Sequence, residues 1–187
     1  MIYLMRHGLD DETLVGGWSE VDLVDEGIDQ VNKTAKMMKN GNIIINKIIT
    51  SDIKRAVTTS KIIENYYPDA PIEENEFFRE QNKGILNGMN KELAEKEYPE
   101  YFDSANVDTI YEDGESLRNL YDRINEYLEY ILSLEDGTLI ITHRGVINML
   151  YYLLNNIDLD MDKKRFGVTH ASLHELDKEN KKIRKVF

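Results

Sequence analysis

Three short runs rich in isoleucine and leucine, Ile2 to Met5, Ile43 to Thr50 and Thr138 to Thr142, each pass straight into a cluster of polar and charged residues. Runs this short, apolar along their length and bounded by turn or polar residues, read as strands buried on both faces. Between and after them lie longer segments of helical character: Asp25 to Lys39, Asp52 to Asn65, Ser116 to Leu134 and Val146 to Leu154. In the third, Leu117, Leu120, Tyr121, Ile124, Leu128 and Ile131 recur at three- and four-residue steps and form one apolar stripe. Alternation of strand and helix predicts an α/β fold, a three-layer α/β/α sandwich with a mainly parallel central sheet. Ligands bind such sheets near the carboxyl ends of the strands. Ser172 to Leu176 and Ile183 to Phe187 read as a closing pair of strands, and Asn87 to Asp113, weakly periodic and rich in tyrosine and acids, as a short helix with a mobile cap.

Length and composition narrow the function classes. A chain of 187 residues without repeats or a Pro/Gly/Ser-rich linker predicts a single domain over 1–187, with the cap inserted around 87–113. No cysteine is present, so disulfides, thiolate metal sites and a cysteine nucleophile are excluded together. A formal net charge of −12 argues against a nucleic-acid partner, because such binding needs a basic face. No apolar run reaches the roughly 20 residues of a membrane helix, and MIYLMRHG lacks a basic-then-apolar leader, so a cytoplasmic location is expected. An anionic substrate would need a locally positive pocket on this acidic chain.

The polar clusters after the strands supply candidates for that pocket. Arg6-His7-Gly8 puts an arginine and a histidine at a strand end, with a glycine for a sharp turn. Alone, the tripeptide reads as a capped strand with a surface histidine. Ser51-Asp52-Ile53-Lys54-Arg55 follows the second strand and opens a helix whose free amides form a positive end. Arg55 alone reads as a solvated helix arginine, yet two arginines just beyond two strands have the planar donor geometry that phosphate oxygens favour. Thr142-His143-Arg144-Gly145 repeats the layout after the third strand. The two histidines and two arginines would meet if the strands are neighbours.

In order along the chain, Arg6-His7-Gly8, Gly17-Trp18, Leu23, Gly27, Ser51-Asp52 with Arg55-Ala56, Arg79-Glu80 with Gly84 and Gly88, Gly114-Glu115-Ser116, Thr142-His143 and Ala171-Ser172 resemble the signature of the histidine phosphatase superfamily, the phosphoglycerate-mutase-like fold, in its phosphatase branch. The resemblance implies that His7 attacks phosphorus, that Arg6 and Arg55 hold the phosphoryl oxygens, that His143 is the second histidine of the pocket and that Glu80 donates the proton to the leaving group. It implies no metal and no cofactor. A neutral imidazole is a good nucleophile near pH 7, and a carboxyl desolvated beside a phosphate should have its pKa raised. Arg79 is expected to be structural or peripheral.

Two positions depart from the pattern. Thr13 stands near the place of an asparagine that helps bind phosphate in mutase-like relatives, and its hydroxyl can still donate. Arg144 replaces a residue that is often glycine, and either adds a third cation to the phosphate site or points to solvent. Asp10-Asp11-Glu12 reads as a solvated loop rather than a metal cluster, and His170 with His174 has helical ligand spacing in a strand-bearing segment, which argues against a metal. The expected activity is hydrolysis of a small phosphorylated metabolite, and a homodimer is a further expectation. Mutase-type phosphoryl transfer and a non-catalytic phospho-ligand binding module are the alternatives. Few residues follow His143, which leaves little chain for the extended lid a mutase needs to shield its phosphoenzyme.

Overall fold

The computed structural model describes all of residues 1–187. Six strands form one sheet: β1 (Ile2–Arg6), β2 (Lys47–Thr50), β3 (Ile72–Glu74), β4 (Thr138–Thr142), β5 (Leu173–Asp177) and β6 (Lys182–Lys185). Their spatial order is β3-β2-β4-β1-β5-β6. The first four in that order pair in parallel, and β5 and β6 add on as antiparallel strands. The helices are α1 (Asp25–Asn40), α2 (Lys54–Glu64), α3 (Lys91–Glu97), α4 (Glu100–Asp103), α5 (Leu117–Glu126), α6 (Leu128–Ser133) and α7 (Arg144–Asn155).

Side-chain alternation along the strands divides the core in two. Ile140 of β4 packs with Leu120 and Ile124 of α5, Ile131 of α6 and Val146 and Leu150 of α7. Its neighbours Leu139 and Ile141 face the other way, against Val31, Ala35 and Met38 of α1 and Ala56 and Ile63 of α2. A strand with both faces covered reads as a continuous apolar run, which is why TLIIT was legible. The two helical layers and the sheet are the three-layer, mainly parallel architecture that the sequence predicts.

The structure differs from the expected elements in three places. The segment read as one helix from Ser116 to Leu134 is two, broken at Tyr127. There the ring stacks on Phe77 with centroids 3.5 Å apart, a tertiary contact that no periodicity encodes. Ser116 caps α5 by accepting from the Asn119 amide at 3.0 Å. The run Ile43 to Thr50 enters the sheet only from Lys47, because Asn46 is held by the Gly137 carbonyl instead of a strand partner. Strand β3 was not foreseen: Ile-Glu-Glu carries one apolar residue, and as an edge strand it takes its register from β2 and an ion pair, Lys47 to Glu73 at 2.6 Å. Between Asn87 and Asp113 lie α3 and α4, whose Ala94 packs in a small cluster with Val15, Leu86 and Tyr111.

The chain leaving β1 crosses the start of α1 at very close range. A Cβ on Gly27 would lie 2.1 Å from the Leu9 carbonyl oxygen, and one on Gly8 would lie 2.5 Å from the Gly27 carbonyl oxygen. Glycine at both positions lets the loop after His7 lie on the helix. Gly27→Ala is therefore expected to lower unfolding free energy by about 1–3 kcal/mol through overpacking. Asp29→Ala, on the exposed side of the same helix, should stay within about 0.5 kcal/mol. Urea denaturation of the two variants checks the contrast, and equal midpoints would show that the crossing is not tight.

Candidate active site

Because β4 lies between β1 and β2, the three polar clusters converge at one edge of the sheet. The His7 amide donates to the Thr142 carbonyl at 3.0 Å and the Ser51 amide to the Ile141 carbonyl at 2.9 Å. A cavity of about 390 Å³ opens there, with Arg6, His7, Asp10, Arg55, Glu80 and Arg144 in its wall.

His7 is buried and held through one ring nitrogen: Nδ1 lies 2.7 Å from the Gly8 carbonyl oxygen. A carbonyl only accepts, so Nδ1 carries the proton and Nε2 presents its lone pair, which the Arg55 Nε–H meets at 3.2 Å. His143 is fully buried just behind, its ring centroid 5.2 Å from that of His7. Its Nδ1 accepts from Arg55 at 3.3 Å, so its Nε2–H donates to the Ser51 hydroxyl at 2.9 Å. Both histidines are pushed well below the usual imidazole range, by burial first and then by the Arg55 charge. Both are neutral at pH 7.

Arg55 sits in the first turn of α2 and is 1% exposed. It donates to the Gly17 carbonyl at 2.7 Å and to the Ser19 hydroxyl at 3.4 Å. Arg6, at the end of β1, donates to the Val168 carbonyl at 3.2 Å and to His170, while its buried Nε–H has no partner. Burial, followed by the Arg144 charge, brings its pKa down to about 10, so it stays cationic. Arg144 opens α7, lines the cavity and makes no hydrogen bond or ion pair with protein.

Glu80 enters from the segment after β3. Trp18 donates to its backbone carbonyl at 2.7 Å, and its carboxylate accepts from the Gln81 amide at 3.0 Å and the Gly145 amide at 3.1 Å. A Cβ at Gly145 would come within 2.0 Å of that carboxylate, so any side chain there would displace it. Burial raises the carboxyl pKa, but the two amides with Arg144 and Arg55 outweigh it, and the net shift is downward. Glu80 is thus ionised, and the upward shift expected from the sequence applies to a carboxyl beside a bound phosphate.

Thr13 is not brought into the cavity. It is exposed, and its hydroxyl donates to Asp11 at 2.7 Å. Asp10, expected in a solvated loop, instead lies in the cavity wall 13% exposed, 3.4 Å from Arg55 Nε. His170 also joins the site, 3.8 Å from Asp10 and 5.8 Å between ring centroids from His7. His174 faces away and bonds Tyr151 and Ser172 in the core, so the two histidines do not share a ligand position. No three His, Asp or Glu side chains converge in a way that could hold a metal ion. Arg79 pairs with Asp52 and lies 4.7 Å over the Trp18 ring, a supporting place behind the site.

A family model, the histidine phosphatase superfamily (branch 1), matches residues 2–187. The chain belongs to the histidine phosphatase superfamily. Among curated relatives, the 2,3-bisphosphoglycerate-dependent phosphoglycerate mutase of Methylocella silvestris is 26% identical over 84% of this chain and 82% of its own length. The fructose-2,6-bisphosphatase of Saccharomyces cerevisiae is 31% identical over 83% of this chain, which corresponds to 34% of the larger yeast protein. Among solved structures, Bacillus stearothermophilus YhfR superposes with a TM-score of 0.80 at 24% identity, covering 94% of this chain and 91% of that one. No helix of this histidine phosphatase family member is long and apolar enough to cross a membrane.

Asp10 places a carboxylate against a cation that a bound oxyanion would need. Asp10→Asn should therefore tighten competitive inhibition by vanadate roughly tenfold, about 1.4 kcal/mol. Inhibition constants of the two proteins test this, and weaker binding in the variant would make Asp10 a contributor to the anion site instead of a competitor.

Proposed function

We propose that this protein is a phosphatase that hydrolyses a small phosphorylated metabolite through a phosphohistidine at His7. The observation that carries the reading is the tautomer of His7: Nδ1–H is held by Gly8, so the lone pair is on Nε2, where the Arg55 Nε–H meets it, and the ring lines a cavity walled by Arg6, Arg55 and Arg144. Nε2 attacks phosphorus, the P–O ester bond breaks, and the leaving alkoxide takes a proton from Glu80. Water then attacks phosphorus, Glu80 takes its proton, the P–N bond breaks, and His7 returns to its neutral form. The free guanidinium of Arg144 is available to phosphoryl oxygens, Arg6 and Arg55 border the same cavity, and fixed cations offset the charge of the transferring group. Glu80 is ionised and must gain its proton before it can donate one. A phosphoryl group bound nearby adds negative charge and raises the carboxyl pKa.

His7→Ala is expected to abolish turnover with the fold intact. Rapid quench of wild-type protein with labelled substrate should trap an acid-labile, base-stable phosphoenzyme, and hydrolysis of p-nitrophenyl phosphate should persist in chelator. Absence of label under single-turnover conditions would count against the covalent step. The kinship with mutases favours a second reading, phosphoryl transfer between positions of one substrate. Incubation with 3-phosphoglycerate separates the two, since a phosphatase releases inorganic phosphate and a mutase yields 2-phosphoglycerate.

The depressed pKa of Glu80 sets a sign for pH dependence. A group lowered below its ordinary value is deprotonated through the neutral range, so the acid form becomes scarcer as pH rises. Hydrolysis of alkyl phosphates should fall between pH 5 and 8 more steeply than that of p-nitrophenyl phosphate, whose leaving group needs no proton. Glu80→Gln should slow alkyl phosphates on the order of 10²-fold or more and aryl phosphates much less. Equal losses on both would remove the acid role from Glu80.

A further inference from the structure

The cavity continues past His7 and Glu80 into a second half where two lysines that the phosphoryl step does not use join Arg144. Lys83, on the loop just after Glu80, lines it together with Arg144 from the first turn of α7 and Lys163 from the connection between α7 and β5. Three separate chain segments thus aim positive groups into one space. Most arginines and a few lysines of this acidic chain are spent on carboxylates, as in Arg79 with Asp52, Arg123 with Glu115 and Lys47 with Glu73. These three are not. The Lys83 ammonium donates only to neutral oxygens, Gln81 at 2.6 Å and the Tyr111 hydroxyl at 2.9 Å, and lies 4.1 Å over the Tyr111 ring. Arg144 and the Lys163 ammonium bond no protein group.

The acids of this half do not neutralise them. Asp160 is held by Arg165 and by the Tyr152 hydroxyl at 2.6 Å, and Asp162 accepts from the Lys164 amide at 3.0 Å. Glu95, on α3 in the wall, is the remaining carboxylate there without a partner. Burial first, then Lys163, brings the Lys83 amine down to about 7, with Arg144 adding to the effect and Glu80 opposing it. The same Arg144 also depresses Arg6, which lines the cavity with it. Unneutralised charge of one sign in a shared cavity is unfavourable and is relieved when an anion binds.

We infer that Lys83, Arg144 and Lys163 form a second anion subsite, and that the substrate is a phosphomonoester carrying a further anionic group, a carboxylate or a second phosphate, at its far end. This rests on the phosphatase reading and names its substrate class. A cavity of about 390 Å³ suits a short acid or sugar backbone between the two charged ends. Arg144 can serve either end.

Matched substrates test the subsite. 3-Phosphoglycerate and glycerol 3-phosphate differ by a carboxylate in place of a hydroxymethyl group, and fructose 1,6-bisphosphate and fructose 6-phosphate differ by a second phosphate. Wild-type protein should favour the doubly anionic member of at least one pair by about tenfold or more in kcat/KM, and the pair that does so says whether the second group is carboxylate or phosphate. In an Arg144→Ala/Lys163→Ala variant that ratio should collapse toward one, an effect on discrimination that a merely structural role would not produce. Titration of the same pairs into His7→Ala reads affinity without turnover. Hydrolysis with no preference in either pair would overturn the subsite and leave the phosphatase standing. A preference in affinity with no hydrolysis by wild type would keep the subsite and overturn the phosphatase.

Discussion

A guanidinium removed from water is costly unless its donors all meet acceptors, and the Arg55 side chain, 1% exposed, meets them from four directions. Gly17 and Ser19 hold it from the loop after β1, and His7 and His143 hold it from the ends of two neighbouring strands. That one buried cation ties together three chain segments and fixes how both imidazoles are oriented. Because it can only donate, it also decides which ring nitrogens are unprotonated. The proposed nucleophile is thus prepared by a structural interaction before any substrate arrives.

Charge is distributed against the grain of the whole molecule. The chain carries a net −12, yet its cavity gathers Arg6, Arg55, Lys83, Arg144 and Lys163. Carboxylates placed among these groups are restrained by specific partners, Asp10 by Arg55 and Glu80 by two backbone amides. The amides explain how an acid can sit in a buried place and still be ionised: fixed N–H dipoles replace the water it lost. They also leave the acid responsive, since an incoming anion shifts the same balance the other way.

Much of the fold was legible because its signals are local. β4 is apolar on both faces and reads so in five residues, and the helices α1, α2 and α7 begin within two residues of where the sequence placed them. The misses share a cause. β3 exists only through pairing with β2, and the break at Tyr127 follows from a ring stacking on Phe77, so neither left a periodic mark. Thr13 shows the same limit at the site, where a short polar residue turned to the nearer acceptor, Asp11.

The sequence by itself determined which strands would carry chemistry, because Arg6-His7, Ser51 to Arg55 and His143-Arg144 are each contiguous with the apolar run that ends beneath them. A strand's end and the residues just past it move together, so those side chains were bound to the carboxyl edge. Tertiary structure alone decided that β4 would lie between β1 and β2, bringing the clusters within hydrogen-bond range. It also decided that Asp10, Lys83 and Lys163 would face the same cavity, that His170 would lie against Arg6 and Asp10, and that Glu80 would be ionised. Proton affinity and convergence are sums over neighbours in space, and residues 80 and 145 become neighbours only once the sheet is assembled.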